Sequence, residues 1–206
     1  MNICLFGATG RVGTIILENA LSQEHNVRVL VRDSRKLKFS GDGLLVKEGN
    51  VLIEKDISNC ISGSDAVICA LNTDGTTTLS ESMPFIIKQM KEQGIQRIIS
   101  IGTAGILQAR SVPYLYRFQS SESKRKSTRD AEEHLKAYLI LRDSGLDWTV
   151  VCPTYLPIGE RKGHYRYEKD FLPDNPSSIS IFDTADFAFG QLFTNEFIGS
   201  RVGITY

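Results

Sequence analysis

Six short apolar runs punctuate the chain: Asn2–Phe6, Val27–Val31, Leu44–Lys47, Asp65–Leu71, Arg97–Ile101 and Trp148–Cys152. Most are apolar at nearly every position, which predicts strands buried on both faces rather than strands with one wet side. Between them lie segments with helical spacing of apolar residues. Residues 11–21 follow a glycine turn, 79–93 stop at Gly94, and 128–143 stop before Ser144-Gly145, where a glycine can close a helix. Strand and helix in alternation predict an α/β fold, a doubly wound parallel sheet with helices on both faces. After Pro153 the pattern weakens. Residues 159–176 are polar, rich in Gly, Pro and Tyr, and read as loop with a hairpin. A helix over 184–195 and a strand over 201–205 complete a single domain of residues 1–206, with residues 153–180 on the substrate side.

Composition narrows the function. The 206 residues carry 24 Lys+Arg against 24 Asp+Glu, so binding of nucleic acid or of a membrane surface through excess positive charge is not expected. The run Ser120–Arg129, with Lys124, Arg125 and Lys126, lacks interleaved aromatics and reads as a solvated loop. No stretch approaches the roughly 18–20 apolar residues of a membrane span, and the first apolar run, Ile3–Phe6, is too short for a signal peptide. Cys4, Cys60, Cys69 and Cys152 are scattered, with neither Cys-x-x-Cys nor zinc spacing. They are expected to be small buried hydrophobes of a cytoplasmic protein that holds no metal.

The candidate chemistry begins at Gly7-x-x-Gly10-x-x-Gly13, between the first strand and the first helix. Glycines there serve a tight turn, close approach of backbone to a pyrophosphate, and close helix–strand packing, and the helix start offers free N–H groups. The loop formed by Gly7, Thr9, Gly10, Arg11, Val12 and Gly13 is therefore a candidate dinucleotide cradle. The second strand ends at Arg32-Asp33, followed by Ser34, Arg35 and Lys36. An always-charged guanidinium suits a ribose 2′-phosphate, so Arg32, Arg35 and Lys36, with Arg11 approaching the same phosphate, favour NADP over NAD. Asp33 keeps NAD open. Open α/β sheets bind ligands beyond the C-terminal ends of their strands. That places Asn50 and Val51 at the adenine, Ala70, Leu71 and Asn72 along the ribose and pyrophosphate, and Thr103 with Pro153, Thr154 and Tyr155 at the nicotinamide.

Gly7-Ala-Thr-Gly10-x-x-Gly13, Val29-Leu-Val-Arg32-Asp-Ser34, Gly49-Asn-Val-Leu52, Asp65-Ala-Val-Ile68, Leu141-Arg-Asp-Ser-Gly-Leu146 and Pro153 follow one another as in the atypical short-chain dehydrogenase/reductases. Within them the chain resembles the NAD(P)H-binding reductases of the biliverdin-IXβ reductase, or flavin reductase, kind. The likeness is strongest before residue 104 and in 134–153. It implies a single Rossmann domain with a shallow site over the nicotinamide, passing hydride to flavins or related conjugated acceptors. It also implies that Arg32 is the 2′-phosphate arginine and Lys36 a second basic residue there. Thr103 falls at a serine beside the nicotinamide and His134 at a histidine near the substrate. Tyr155 replaces another histidine, a departure that bears on the tetrapyrrole substrate.

The Tyr-x-x-x-Lys pair of ordinary short-chain dehydrogenases is missing; aligned on Ser144-Gly145-Leu146, its two places hold Asp130 and His134. Reduction of a flat conjugated acceptor does not require that pair, because proximity and orientation carry most of the rate. Thr103 and His134 are the candidate catalytic residues, one to hold acceptor or carboxamide, the other to give a proton. Tyr114, Tyr116 and Phe118, or Tyr165 and Tyr167, are candidates for an aromatic wall. A non-catalytic dinucleotide sensor of the NmrA-like kind is the alternative, and a nucleotide-sugar epimerase or dehydratase ranks below both. The acceptor and the oligomeric state stay open.

Overall fold

The computed structural model describes residues 1–206 apart from 74 and 125; Arg125 of the basic run lies outside the described residues. The described residues form one eight-stranded sheet with five α-helices. In chain order these are β1 (Asn2–Phe6), α1 (Arg11–Ser22), β2 (Asn26–Val31), β3 (Leu44–Glu48), α2 (Glu54–Ile61), β4 (Ala66–Cys69), α3 (Thr78–Glu92), β5 (Arg97–Ile101), α4 (Arg129–Arg142), β6 (Asp147–Pro153), β7 (Arg166–Lys169), α5 (Ile181–Gly190) and β8 (Ser200–Thr205). The strand order is β3-β2-β1-β4-β5-β6-β8-β7.

Alternation of side chains along each strand explains why the inner strands are largely apolar on both faces. In β1, Ile3 and Leu5 enter the core layer that also holds Ile16, Leu17, Ala188 and Phe189 of α1 and α5. Cys4 and Phe6 enter the opposite layer, with Ile57 of α2, Met83 and Ile86 of α3, and Leu141 of α4. All four cysteines are buried thiols, as their settings in the sequence suggested, and the Cys4 and Cys60 sulfurs lie 3.4 Å apart.

Three elements depart from the pattern reading. Helix α2 was not foreseen: over eight residues only Ile57, Cys60 and Ile61 are buried. Residues 166–169 form no local hairpin. They run antiparallel to β8, Arg166 opposite Thr205, with α5 intervening in sequence, so the sheet is parallel except at this edge. Helix α5 begins at Ile181, not Thr184, because Ser180 caps it by accepting the Asp183 N–H at 3.0 Å. It gives way to a short 3-10 turn at Gln191–Phe193.

Candidate functional site

The reversal of strand order between β1 and β4 opens a crevice at the C-terminal ends of the parallel strands. The glycine loop lies there. Gly7 has a φ of +86°, and a Cβ on it would stand 2.4 Å from the Ala70 carbonyl oxygen at the end of β4. A Cβ on Gly13 would stand 2.1 Å from the Gly7 carbonyl oxygen, so only glycine lets α1 start this close to its strand. Gly10 is the N-cap of α1 and supplies no side-chain acceptor to the first-turn N–H groups, which leaves them for a pyrophosphate. Ala8 and Val12 are buried while Thr9 and Arg11 are exposed. This cradle fits a dinucleotide.

Arg11 departs from expectation. Its Nη1 donates to the Leu156 carbonyl at 3.0 Å, in the loop after β6. In the sheet, β6 and β2 lie on opposite sides of β1, so Arg11 turns to the cleft and away from the end of β2. At that end Arg32 is exposed, as are Arg35 and Lys36. Arg35 is turned to Asp33, with Nε at 2.9 Å from Oδ1 and Nη2 at 3.0 Å from Oδ2. Asn50 is fixed by its N–H to Asp56 at 2.9 Å. Val51 packs into the core with Phe6 and Leu30.

Beyond β4, β5 and β6 lies a cleft of about 1300 Å³. It gathers Arg11, Asn72, Thr103, His134, Pro153, Thr154 and Tyr155, residues drawn from five separate stretches of sequence. Ala70 and Leu71, which precede Asn72, are half-buried. The Thr103 hydroxyl, buried at the cleft floor, accepts the Gly105 N–H at 3.4 Å and so starts a 3-10 turn at Ala104–Ile106. His134 is half-buried on α4, one turn after Asp130, which also lines the cleft and accepts the Thr73 hydroxyl at 3.1 Å. Burial pushes the Cys69 thiol up to about 11 and the Cys152 thiol up to about 12. Neither is a nucleophile at neutral pH.

On the far side of the cleft, 172–177 fall within the expected substrate-side region 153–180, while the part contributed by the segment after β5 was not foreseen. This side is built by Gln108, Arg110 and Arg117, by Glu122–Lys124, and by 172–177. Arg110 ties these walls together: it pairs with Glu168, pairs with Asp174 at 2.9 Å, and donates to the Leu172 carbonyl at 3.1 Å. Arg117 pairs with Glu122 at 3.1 Å. Burial would raise the Glu122 carboxyl, but the Ser111 N–H and hydroxyl and the Arg117 guanidinium bring it below the usual range. The expected aromatic walls lie elsewhere. Tyr114 is exposed, Tyr116 covers the Arg201 guanidinium, and Tyr165 and Tyr167 pack on Phe187. Among the described residues no cluster of three or more His, Cys, Asp or Glu is set to hold a metal ion, and no helix is long and apolar enough to cross a membrane.

Sheet order, glycine cradle and cleft together define a dinucleotide-binding protein of the Rossmann type. The chain belongs to the NAD(P)H-binding family, whose model matches residues 7–195. It is 27% identical over 208 residues to the uncharacterized protein YwnB of Bacillus subtilis, covering 93% of this chain and 91% of YwnB. A crystal structure from Bacteroides thetaiotaomicron, of a protein provisionally named an epimerase, is 29% identical with a TM-score of 0.86, over 100% of this chain and 96% of that one. A Streptococcus pneumoniae protein provisionally named an NADH-flavin reductase is 23% identical with a TM-score of 0.84, over 100% and 99% of the two chains. The last likeness is one of fold.

Proposed function

We propose that this protein is an NADPH-dependent reductase of a flat, conjugated acceptor such as a flavin. The observation that carries the reading is the cleft at the strand ends, where Arg11 at the start of α1, Thr103 and His134 border one large open space. Gly7, Gly10, Gly13 and the start of α1 would hold the pyrophosphate, Arg32 and Lys36 the 2′-phosphate, and Asn72 with Pro153–Tyr155 the nicotinamide side. When bound, the dinucleotide supplies a hydride; the chain's own residues orient the acceptor and manage its proton. Thr103 lies at the floor, where its hydroxyl can hold an acceptor heteroatom. His134 faces the same space, where an imidazole can pass a proton to the acceptor. Wide openness suits a broad planar molecule, and the acceptor walls carry proline and cross-paired charges. The absence of Tyr-x-x-x-Lys sets ordinary alcohol–ketone chemistry aside. Four buried thiols suit a reducing, cytosolic setting.

The test is NADPH oxidation followed by absorbance with FMN, riboflavin and dichloroindophenol as acceptors. Turnover of at least one, weakened in Thr103→Ala, is expected. Tight NADPH binding with no turnover across the panel would overturn the reductase reading and leave the non-catalytic sensor.

A further inference from the structure

Among Arg32, Asp33, Arg35 and Lys36 at the end of β2, both charged ends of one pair are spent on each other. Asp33 accepts the Arg35 N–H at 3.1 Å and caps the start of the 3-10 turn Ser34–Lys36. The Arg35 guanidinium then grips the same carboxylate with Nε at 2.9 Å and Nη2 at 3.0 Å. The Arg35 side chain is 89% exposed and that of Asp33 is 26% exposed, so the guanidinium lies outside the carboxylate, toward solvent. A carboxylate at this strand end is the group that accepts a ribose 2′-hydroxyl in NAD sites, and an uncompensated one repels a 2′-phosphate.

We propose that Arg35 sets the cofactor preference through Asp33, as its counter-ion, and is not itself a phosphate ligand. The inference rests on the NADPH reading above, which assigned the 2′-phosphate end to this corner. Arg35 hydrogen bonding keeps the Asp33 carboxyl below its ordinary range, with Lys36 adding to the effect. Asp33 is therefore charged at neutral pH, and its cancellation depends on a partner. Glu48 of β3, which accepts the Ser34 N–H at 2.9 Å, adds a second negative charge to the same corner. Without Arg35 the corner holds two carboxylates beside Arg32 and Lys36. The 2′-phosphate then meets a weaker positive field, while a 2′-hydroxyl meets a freed acceptor.

The experiment measures dissociation constants of NADPH and NADH by calorimetry for the wild type, Arg35→Ala, Asp33→Asn and the double variant, with melting temperatures checked alongside. Arg35→Ala is expected to weaken NADPH by roughly three- to fivefold, in keeping with one exposed pair, and to leave NADH unchanged or tighter. The double variant should return to the Asp33→Asn value, and the loss should shrink at high salt. If Arg35→Ala costs as much in the Asp33→Asn background as alone, Arg35 touches the phosphate and the proposal fails. Equal losses for both cofactors would also overturn it, as a merely structural effect. The wild-type ratio of NADPH to NADH affinity tests the NADPH reading separately, because the proposal concerns how that ratio moves on substitution.

Discussion

Arg32 follows directly on the last residue of β2, and its place is set by the strand rather than by a loop. A single charge-assisted contact to a 2′-phosphate is worth about 2–3 kcal/mol. Arg32→Ala should therefore cost NADPH that much affinity and NADH far less, by calorimetry; equal losses would remove the phosphate role. Asp183 is a second residue whose setting makes a measurable claim. It accepts the N–H groups of Lys162 at 3.0 Å and Gly163 at 2.9 Å, and the hydroxyls of Ser180 at 3.2 Å and Tyr206. Burial would raise its carboxyl, but the Tyr206 hydroxyl, the two N–H groups and Ser180 outweigh it and hold the carboxyl below its ordinary value. A depressed carboxyl stabilises the fold fully above its unfolded value, about 3.9, and this contribution is lost as pH falls through the lower folded value. Asp183→Asn should lower stability by about 1–3 kcal/mol near neutral pH. It should also flatten the acid limb of the melting temperature below about pH 4; an unchanged acid limb would show that this carboxylate does not govern it.

At the scale of elements, one buried arginine holds the cleft's floor to its edge strands. Arg201 of β8 is sandwiched, with Tyr138 of α4 at 4.8 Å and Tyr116 at 5.5 Å from its guanidinium carbon. It donates to the Ile106 carbonyl and to Gln108 at 3.0 Å, and pairs with Asp170 at 3.3 Å. Arg201→Met keeps the bulk but leaves the Ile106 carbonyl unpaired and the part-exposed Asp170 without its partner, so a loss of about 1–3 kcal/mol is expected. Hydrogen exchange should quicken first in residues 104–119, and uniform quickening would refute the local role. None of this was readable from the sequence, where Arg201 only opened a predicted strand. The inner strands were readable because both faces are buried and each announces itself by a nearly continuous apolar run. Helix α2 was not, since Ile57, Cys60 and Ile61 give barely one repeat of helical spacing. The start of α5 had a signal that went unused: Ser180 stands three residues before Asp183, a cap-and-acid spacing. Strand β7 owes its existence to β8 across the sheet, and a polar edge strand carries no pattern of its own.

Over the whole molecule, the division between what sequence revealed and what it hid follows the cleft. The half assigned to the dinucleotide is built from strand ends, and topology alone brings Asn72, Thr103 and Pro153–Tyr155 to one rim. The opposite half is built by pairs between loops distant in sequence. Arg110 with Glu168 and Asp174 has no local signature, because each partner is an ordinary polar residue until the chain is folded. That division yields a separable prediction. Arg110 secures 172–177 against the segment after β5, also lying 5.2 Å over the Phe171 ring, and does not reach the glycine cradle. On the reductase reading proposed above, Arg110→Ala should loosen the proposed acceptor wall alone. With the pair partly exposed, a cost of about 1 kcal/mol is expected, or roughly fivefold in the acceptor KM. The NADPH dissociation constant should stay within experimental error of the wild type. Steady-state kinetics with riboflavin, paired with calorimetry of NADPH, separates the two halves. A rise in both constants would mean that the cleft behaves as one unit, and that the acceptor wall helps to hold the dinucleotide as well.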